Sequence, residues 1–437
     1  MNQFAATPTR PVPDIATREL PWRRVATPLE RGCLGVVLCG GRGTRLGALT
    51  EWRAKPAVPF GAAFRVVDFT LANCLNSGIR RVAVLTQYKA QSLIRHIQDG
   101  WSLPRRFGEF VEIVPAQQRK DDSWYLGTAD AVFQNLDLIE RHRPQHVLVL
   151  CGDHVYKMDY TLLLAEHVAN RADLTVACSE VSCEDACGFG VVTADAQGRV
   201  TDFQEKPASP RPLPGSRDRA LASMGIYVFD AVRLICELTR DATNAQSSHD
   251  FGRDIVPAML GAGAGVFAHS FERSCVRHAG APAYWRDVGT LEAYWEACMD
   301  LTDAQPAFDL FDEAWPIPSE VRSARPTRFI PDALGRRPYV SETLMGSGCT
   351  IGAAEVRRSL VSADVRIADG ARVEESVLLP DVDVRAGVVL KRVIVDKHCK
   401  LPTGLIAGID TERDRLRFHV TDRGITLITP EMLGQRS

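Results

Sequence analysis

The stretch LGVVLCGGRGTRLG, residues 34–47, places four glycines and two arginines directly after a short apolar run. An apolar run that ends in glycines is typical of a buried strand followed by a tight turn into a helix. Such a turn can also bind an anion, because glycine lets backbone N–H groups approach phosphate oxygens closely. The stretch therefore predicts an α/β fold that begins here, with a candidate phosphate-binding loop at the end of its first strand.

The loop matches neither of two common phosphate-binding motifs. No Lys-Ser or Lys-Thr pair follows its last glycine, so it is not a Walker A loop. A dinucleotide fingerprint would start at Gly41 and Gly43, but Leu46 stands where its third glycine should be. A glycine cluster on its own is more often a plain turn. Arg45 and the basic RAKP stretch at 53–56 favour phosphate binding here.

The pattern after the loop predicts an open, mostly parallel, Rossmann-like sheet. Short apolar runs recur at 80–88, 146–154, 172–180 and 221–230, and helix-like segments such as TADAVFQNLDLIERH lie between them. Ligands bind such sheets at the carboxyl ends of their strands. The sequences CGGRG and CGDH both fall at strand ends.

The C-terminal hundred residues have a different period. Small or aliphatic residues recur about every sixth position, at Val365, Ala371 and Val377, and then, after a slip of one residue, at Val382, Val388 and Ile394. A six-residue step is typical of a left-handed parallel β-helix, whose coils have three short faces. Irregular β structure is the alternative. We expect an N-terminal extension at 1–30, an α/β domain at 31–300, a proline-rich linker at 301–339 and a β-helix at 340–437.

Composition limits the function classes. The chain has 437 residues, 24% of them charged, and a formal net charge of -2, so no overall field favours nucleic acid or an anionic membrane. Twelve cysteines show no CxxC pair, and the CxxxC pair Cys183 and Cys187 makes a structural zinc only a minor alternative to free thiols. Free thiols and the lack of an apolar leader or span predict a cytoplasmic protein.

Many separate motifs resemble one enzyme family. GGRGTRL and RAKPAVPFG resemble the signature of the sugar-nucleotide pyrophosphorylases, which are nucleotidyltransferases. The stretches GTADAVFQN, GDHVYKMDY, EKPA, LASMGIYVFD, SSHDFGRDIVP and YWRDVGTLEAYW, in this order, are similar to the bacterial glucose-1-phosphate adenylyltransferases. The resemblance implies a reaction between ATP and glucose 1-phosphate that yields ADP-glucose and pyrophosphate, as the first committed step of glycogen synthesis.

This chemistry needs carboxylates for Mg²⁺ and cationic side chains for phosphates, but no activated nucleophile, because a phosphate monoester is already an anion near neutral pH. Asp153 ends an apolar strand, and the resemblance makes it a catalytic residue and the central metal ligand. Asp287 is the expected second ligand, and Arg45 and Lys55 are expected to be catalytic residues as well, which neutralise phosphate. His154 is expected to be packed or hydrogen-bonded.

The resemblance also assigns the two substrates. The residues expected to bind ATP are Gly40, Gly41, Gly43, Thr44, Gln117, Tyr125, Gly127, Thr128 and Ala129. Those expected to bind glucose 1-phosphate are Gly190, Glu205, Lys206 and Ser223. Lys206 corresponds to the lysine that holds the sugar phosphate, and Glu205 to a residue that hydrogen-bonds the sugar hydroxyls.

The resemblance further implies a homotetramer regulated by metabolites, with sugar phosphates or pyruvate as activators and AMP, ADP or phosphate as inhibitors. Arg53, Arg65 and Lys397 match positions of the family's anion-binding effector site, although three solvated surface cations would look the same in sequence. Trp52 stands where members activated by fructose 1,6-bisphosphate often carry a lysine. An indole cannot replace an ammonium as a phosphate partner, so we expect a weaker response to the bisphosphate.

Three other functions remain open at this point. One is a pyrophosphorylase for another nucleotide or sugar, such as UDP-glucose or dTDP-glucose. Another is a non-catalytic regulatory homologue, although the expected metal and phosphate residues are all present. A third is a second, acetyltransferase activity on the β-helix, but neither His398 nor His419 lies in a motif that suggests a catalytic base.

Overall fold

The computed structural model describes residues 26–41, 43–103, 108–117, 124–320 and 325–435. Most of the N-terminal extension expected at 1–30 lies outside these ranges, and so does Arg42 of the glycine loop. Within the described ranges, no helix has both the length and the apolar character needed to cross a membrane.

The N-terminal domain alternates strands and helices, as its apolar runs predict. Its strands are β1 (Cys33–Cys39), β2 (Pro59–Phe60), β3 (Phe64–Arg65), β4 (Arg81–Thr86), β5 (Phe110–Pro115), β6 (His146–Cys151), β7 (His154–Tyr156), β8 (Leu174–Ser182), β9 (Gly190–Ala194), β10 (Val200–Glu205), β11 (Arg219–Asp230), β12 (Val266–Ser270) and β13 (Trp285–Asp287). Its α-helices are α1 (Pro28–Arg31), α2 (Val66–Asn76), α3 (Gln91–Gly100), α4 (Thr128–Phe133), α5 (Leu136–His142), α6 (Tyr160–Ala169), α7 (Cys183–Ala186), α8 (Ala231–Asp241), α9 (Val256–Gly261), α10 (Phe271–Ser274) and α11 (Leu291–Asp300). Short 3₁₀ turns cover Thr44–Thr50 and Lys55–Ala57, and a π turn covers Phe251–Ile255.

The main sheet of this domain is mixed, and its parallel part consists of the neighbouring strands β6, β1, β4 and β5. Its order is β10-β9-β11-β6-β1-β4-β5, with β8 paired to both β11 and β12. β1 runs parallel to β4 and β6, and β4 runs parallel to β5, whereas β11 is antiparallel to β6. Since β1 and β6 are parallel neighbours, the loops that follow them lie side by side at one edge of the sheet. This confirms the predicted α/β class and brings CGGRG next to CGDH.

The C-terminal domain consists of three sheets of very short strands. They are formed by β14 (Arg328–Phe329), β15 (Tyr339–Ser341), β16 (Leu344–Met345), β17 (Thr350–Ile351), β18 (Glu355–Arg357), β19 (Leu360–Val361), β20 (Arg366–Ile367), β21 (Arg372–Glu374), β22 (Val377–Leu378), β23 (Asp383–Val384), β24 (Val389–Lys391), β25 (Val393–Val395), β26 (Lys400–Leu401), β27 (Ile406–Ala407), β28 (His419–Val420) and β29 (Thr426–Ile428). The strands pair in parallel except that β28 is antiparallel to β29. Helix α12 (Thr411–Arg415) and a 3₁₀ turn at Glu431–Leu433 complete the domain.

Each coil of this domain places one strand in each sheet, as in a hexapeptide β-helix. The sheet orders are β14-β17-β20-β23-β26, β15-β18-β21-β24-β27 and β16-β19-β22-β25-β29-β28. The first strand, β14, falls within residues 301–339, which the sequence analysis treats as a linker. Most pairings between successive coils join residues seventeen positions apart, such as Val356 with Val373. A coil of seventeen residues explains the slip of one position in the hexad pattern.

All six residues of the hexad pattern are buried, with at most 1% of their surface exposed. Four of them line the interior of the β-helix, but Val377 and Ile394 pack in a cluster shared with the N-terminal domain. Their neighbours Leu378 and Val395 belong to the interior of the β-helix instead. Neighbouring residues of a strand point to opposite faces, so this sheet is buried on both sides. The hexad pattern alone could not tell these two faces apart.

Candidate active site

The glycine loop follows β1 and forms one wall of a cavity. Gly43 has a φ of 61°, a left-handed conformation that glycine adopts without steric cost, and a Cβ there would lie 3.1 Å from the Lys55 Cβ. The 3₁₀ turn Thr44–Thr50 starts immediately after it. Gly40, Gly41, Gly43 and Thr44 all line this cavity, whose volume is about 450 Å³.

The opposite wall of this cavity, which we call the nucleotide cavity, comes from the start of α4. Tyr125, Gly127 and Thr128 line it, as expected. Two expected residues do not. Ala129 is fully buried, and its N–H donates to the carbonyl of His249 at 2.8 Å. Gln117, after β5, is exposed and is not among the lining residues.

A short strand pair brings the two expected metal ligands together. Asp153 follows β6 through Gly152, and β7 then pairs antiparallel with β13, so that Asp287 lies opposite His154. Each of Asp153, His154 and Asp287 offers an atom within 4.8 Å of the others. The sequence predicted both aspartates but not this pairing, because the two stretches lie far apart along the chain.

Lys55 lies between the two carboxylates. Its Nζ is 3.0 Å from an oxygen of Asp153 and 2.5 Å from an oxygen of Asp287. Arg45 lies outside this group, 3.5 Å from Asp287, with 61% of its side chain exposed. Both cations were expected to neutralise phosphate, yet in this structure Lys55 pairs with the carboxylates. Arg45 is the more accessible cation.

These contacts set the charges of the site. Burial alone would raise the pKa of the Asp153 carboxyl. The Lys55 ammonium and His154 outweigh this effect and lower the pKa to about 2. Burial would lower the pKa of Lys55, and the two carboxylates outweigh it and hold that pKa above its ordinary value of 10.5. Both groups are therefore charged near neutral pH, and the pair of carboxylates already accommodates a cation.

The residues present fit a magnesium ion. Mg²⁺ prefers carboxylate oxygens and is usually held by one or two of them beside phosphates, which Asp153 and Asp287 can provide. His154 is a poorer ligand, because its Nδ1 accepts a hydrogen bond from the Trp285 indole at 3.3 Å. Its Nε2 then carries the proton and faces Asp153 at 3.6 Å.

A second cavity, of about 220 Å³, adjoins the first, and we call it the sugar cavity. All four residues expected to bind glucose 1-phosphate line it: Gly190, Glu205, Lys206 and Ser223. Gly190 pairs with Glu205 across β9 and β10, and a Cβ at Gly190 would lie 2.5 Å from the Phe203 ring. The sheet register thus brings these residues together.

Four polar residues line both cavities: Arg45, Thr128, Asp153 and Asp250. Asp250 was missed by the sequence analysis. One of its oxygens accepts from the Thr128 hydroxyl at 2.9 Å, and the other accepts from the N–H groups of Gly252 and Arg253. Its position in SSHDFG, a stretch already quoted for the resemblance, was the signal that could have found it.

A third cavity, of about 310 Å³, lies between the two domains. Arg53, Arg65 and Lys397 all line it, together with His96 and Glu320. Arg53 is not a solvated surface cation, because only 3% of it is exposed. Both of its terminal nitrogens bind the carboxylate of Asp396 at 2.8 Å.

The chain is similar to known proteins over nearly its whole length. Residues 34–304 match the family model described as nucleotidyl transferase, and residues 325–428 match that of the GlmU-like C-terminal hexapeptide. A glucose-1-phosphate adenylyltransferase of Nitrosomonas europaea is 53% identical over 97% of this chain and 98% of its own. That of Nitrosospira multiformis is 52% identical over 93% and 96%, and that of Paramagnetospirillum magneticum 53% over 92% and 94%. The chain therefore belongs to the glucose-1-phosphate adenylyltransferase family of nucleotidyl transferases.

Proposed function

We propose that this protein transfers the adenylyl group of ATP to glucose 1-phosphate, which yields ADP-glucose and pyrophosphate. The observation that carries the proposal is the junction of the two cavities. Asp153 and Arg45 line both of them, and Asp287 lies within reach of both residues. A nucleotide in one cavity and a sugar phosphate in the other would meet at these charges.

The reaction is a displacement at phosphorus. An oxygen of the glucose 1-phosphate phosphate forms a bond to the α-phosphorus of ATP. The bond from that phosphorus to the bridging oxygen of the β-phosphate breaks, and pyrophosphate leaves with the electron pair. The attacking oxygen already carries negative charge near neutral pH, so the protein needs no general base. Its task is to hold two anions in line and to offset their repulsion.

The chain's own residues divide this task. The N–H groups of the glycine loop bind the triphosphate, and Arg45 pairs with phosphate oxygens where the cavities meet. Lys206 binds the phosphate of glucose 1-phosphate, and Glu205 accepts hydrogen bonds from sugar hydroxyls. Asp153 and Asp287 would hold Mg²⁺. When bound, the ion supplies positive charge that stabilises the phosphate oxygens as charge develops on them.

The test is pyrophosphate release by the purified protein with glucose 1-phosphate, Mg²⁺ and each of ATP, UTP and dTTP. We expect ATP to be the preferred nucleotide. Asp153→Asn keeps the shape of the side chain but removes a charge, and we expect turnover to fall about 100-fold or more. Asp137→Asn is the control, since Asp137 lies on α5, lines neither cavity and forms an ion pair with Arg141 at 3.4 Å on the surface of the helix.

Three results would contradict the proposal in different ways. Preference for UTP or dTTP would indicate a pyrophosphorylase for another nucleotide. No turnover with any nucleotide would indicate a non-catalytic homologue. Full turnover of Asp153→Asn would remove Asp153 from the mechanism.

We also infer that the cavity between the domains binds anionic metabolites. Arg65 and Lys397 line it, and it is large enough for a small phosphorylated compound. Trp52 is 58% exposed, with the Lys89 ammonium 5.7 Å from its ring centre. An indole supplies no charge to a second phosphate, so we expect weak activation by fructose 1,6-bisphosphate.

The effector proposal is tested by assays with fructose 1,6-bisphosphate, fructose 6-phosphate and pyruvate, with AMP, ADP and phosphate as candidate inhibitors. Strong activation by micromolar bisphosphate would contradict the expected effect of Trp52. We further propose a homotetramer in the cytoplasm, and light scattering coupled to gel filtration would measure the number of subunits.

A further inference from the structure

A buried ion pair connects the β-helix to the segment that carries Lys55. Both terminal nitrogens of Arg53 bind the two carboxylate oxygens of Asp396 at 2.8 Å. The two side chains are only 4% and 5% exposed. A two-point contact between a planar guanidinium and a carboxylate fixes direction as well as distance. The pair therefore holds Arg53 in one place relative to the β-helix.

Asp396 is itself firmly placed. It follows β25, whose residues pair with β22 on one side and β29 on the other. Its N–H donates to the Ile428 carbonyl at 2.8 Å, and one of its oxygens accepts from the Lys397 N–H at 2.7 Å. The Asp396 carboxylate is therefore held in place by the hydrogen-bonded coils of the β-helix.

The backbone between Arg53 and Lys55 is short and packed. Ala54 is fully buried, and the 3₁₀ turn Lys55–Ala57 follows at once, closed by an N–H to carbonyl bond from Val58 to Lys55 of 3.0 Å. Pro56 fixes φ within this turn. A displacement of Arg53 would therefore be passed on to Lys55, because only one residue separates the two.

The Lys55 Nζ in turn contacts the two catalytic carboxylates, at 3.0 Å from an oxygen of Asp153 and 2.5 Å from an oxygen of Asp287. We propose that Asp396 is a positioning residue, which acts through Arg53 to keep the Lys55 ammonium between the two aspartates. The inference rests on the proposed function for its consequence in catalysis. The contact itself is independent of that function.

The first test compares Asp396→Asn with the parent protein. Asparagine has the same shape but removes the charge and the second acceptor for Arg53. We expect kcat to fall about 10- to 100-fold, as a catalytic group moves by a fraction of an ångström to an ångström. The KM for glucose 1-phosphate should stay within about twofold, because interactions made only in the transition state affect kcat and not KM.

The second test measures the position of Lys55 without catalysis. Acetic anhydride modifies neutral, accessible amines, and peptide mass spectrometry gives the rate at each lysine. Lys55 is buried and paired with two carboxylates, so we expect slow labelling in the parent and several-fold faster labelling in Asp396→Asn. This measurement needs no substrate, so it can support the contact even if the proposed reaction fails.

Glu296→Gln is the matched control. Glu296, on α11, pairs with Arg423 of the C-terminal domain at 3.0 Å, so this variant also removes an ion pair between the domains. This pair is far more exposed, with 71% and 50% of its two side chains accessible to solvent. We expect neither kcat nor Lys55 labelling to change.

Arg53→Lys is a milder variant that keeps a buried cation but loses the two-point contact. We expect intermediate values of both kcat and labelling. The proposal is overturned if kcat and Lys55 labelling in Asp396→Asn equal those of the parent or change as much in Glu296→Gln. It is also overturned if kcat falls without faster labelling, or if Arg53→Lys behaves like the parent.

Discussion

Single glycines set how closely the walls of the nucleotide cavity approach each other. At Gly127, a Cβ would lie 2.2 Å from the carbonyl oxygen of His249, far inside van der Waals contact. The Ala129 N–H binds the same oxygen at 2.8 Å, so the segments after Gly127 and before Asp250 are directly joined. The absence of a side chain at Gly127 therefore decides the shape of this wall.

We predict that Gly127→Ala raises the KM for ATP about tenfold or more, because α4 must move away from His249 and a small misplacement costs much in a closely fitted site. Initial rates at varied ATP would measure this. Gly261→Ala, at the end of α9, is the control, since a Cβ there would meet nothing within 4 Å. Equal KM values for the two variants would contradict the prediction.

At the scale of elements, α6 packs on the sheet through a buried histidine. His167 is 1% exposed, its Nδ1 is 2.9 Å from the Thr175 hydroxyl of β8, and its ring meets that of His146 edge-on at 5.1 Å. Burial and the nearby His146 lower the pKa of His167 to about 4, against a partial opposing effect of Asp230 and Asp173. The folded protein therefore holds this histidine neutral.

Because the folded protein keeps this histidine neutral, the fold loses stability at any pH at which the same histidine is protonated in the unfolded chain. Its contribution is fully present above the unfolded pKa of 6.5 and is lost as the pH falls from there towards 4. We predict that lowering the pH from 7 to 5 costs the parent on the order of 1 to 2 kcal/mol more than it costs His167→Gln. Urea unfolding at both pH values would measure the difference. Equal losses in the two proteins would contradict the prediction.

At the scale of the whole molecule, the two domains share one apolar core. Leu360, Val377, Ile394 and Leu427 of the C-terminal domain belong to the same buried cluster as the helices and strands of the N-terminal domain. The Trp295 indole also donates to the Glu375 carbonyl at 2.7 Å. Because this interface is apolar and buried, like the core of a single domain, we expect it to hold the two domains in one arrangement.

We predict that Ile394→Ala lowers the free energy of unfolding by about 2 to 4 kcal/mol, because it leaves a cavity in this shared core. It should also speed proteolytic cleavage between the domains, since the same cluster holds them together. Thermal unfolding and limited trypsin digestion would measure these effects. Ile406→Ala is the matched control on the same β-helix, because Ile406 is 51% exposed and should cost less than about 0.5 kcal/mol. Similar losses for the two variants would contradict a shared core.

The sequence by itself determined the α/β class, the β-helix, and the residue types of the site, because periodicity and short motifs are local properties of the chain. The family resemblance predicted that Asp287 shares a metal ion with Asp153, but the sequence did not predict the strand pairing that brings them together. It also could not exclude Ala129 from the nucleotide cavity or separate the two faces on which Val377 and Leu378 lie. Those outcomes depend on strand register, as in the β7–β13 pair, and on the packing of one domain against the other. The tertiary structure alone decided that Arg53 pairs with Asp396, since a buried ion pair between residues 343 positions apart leaves no local pattern.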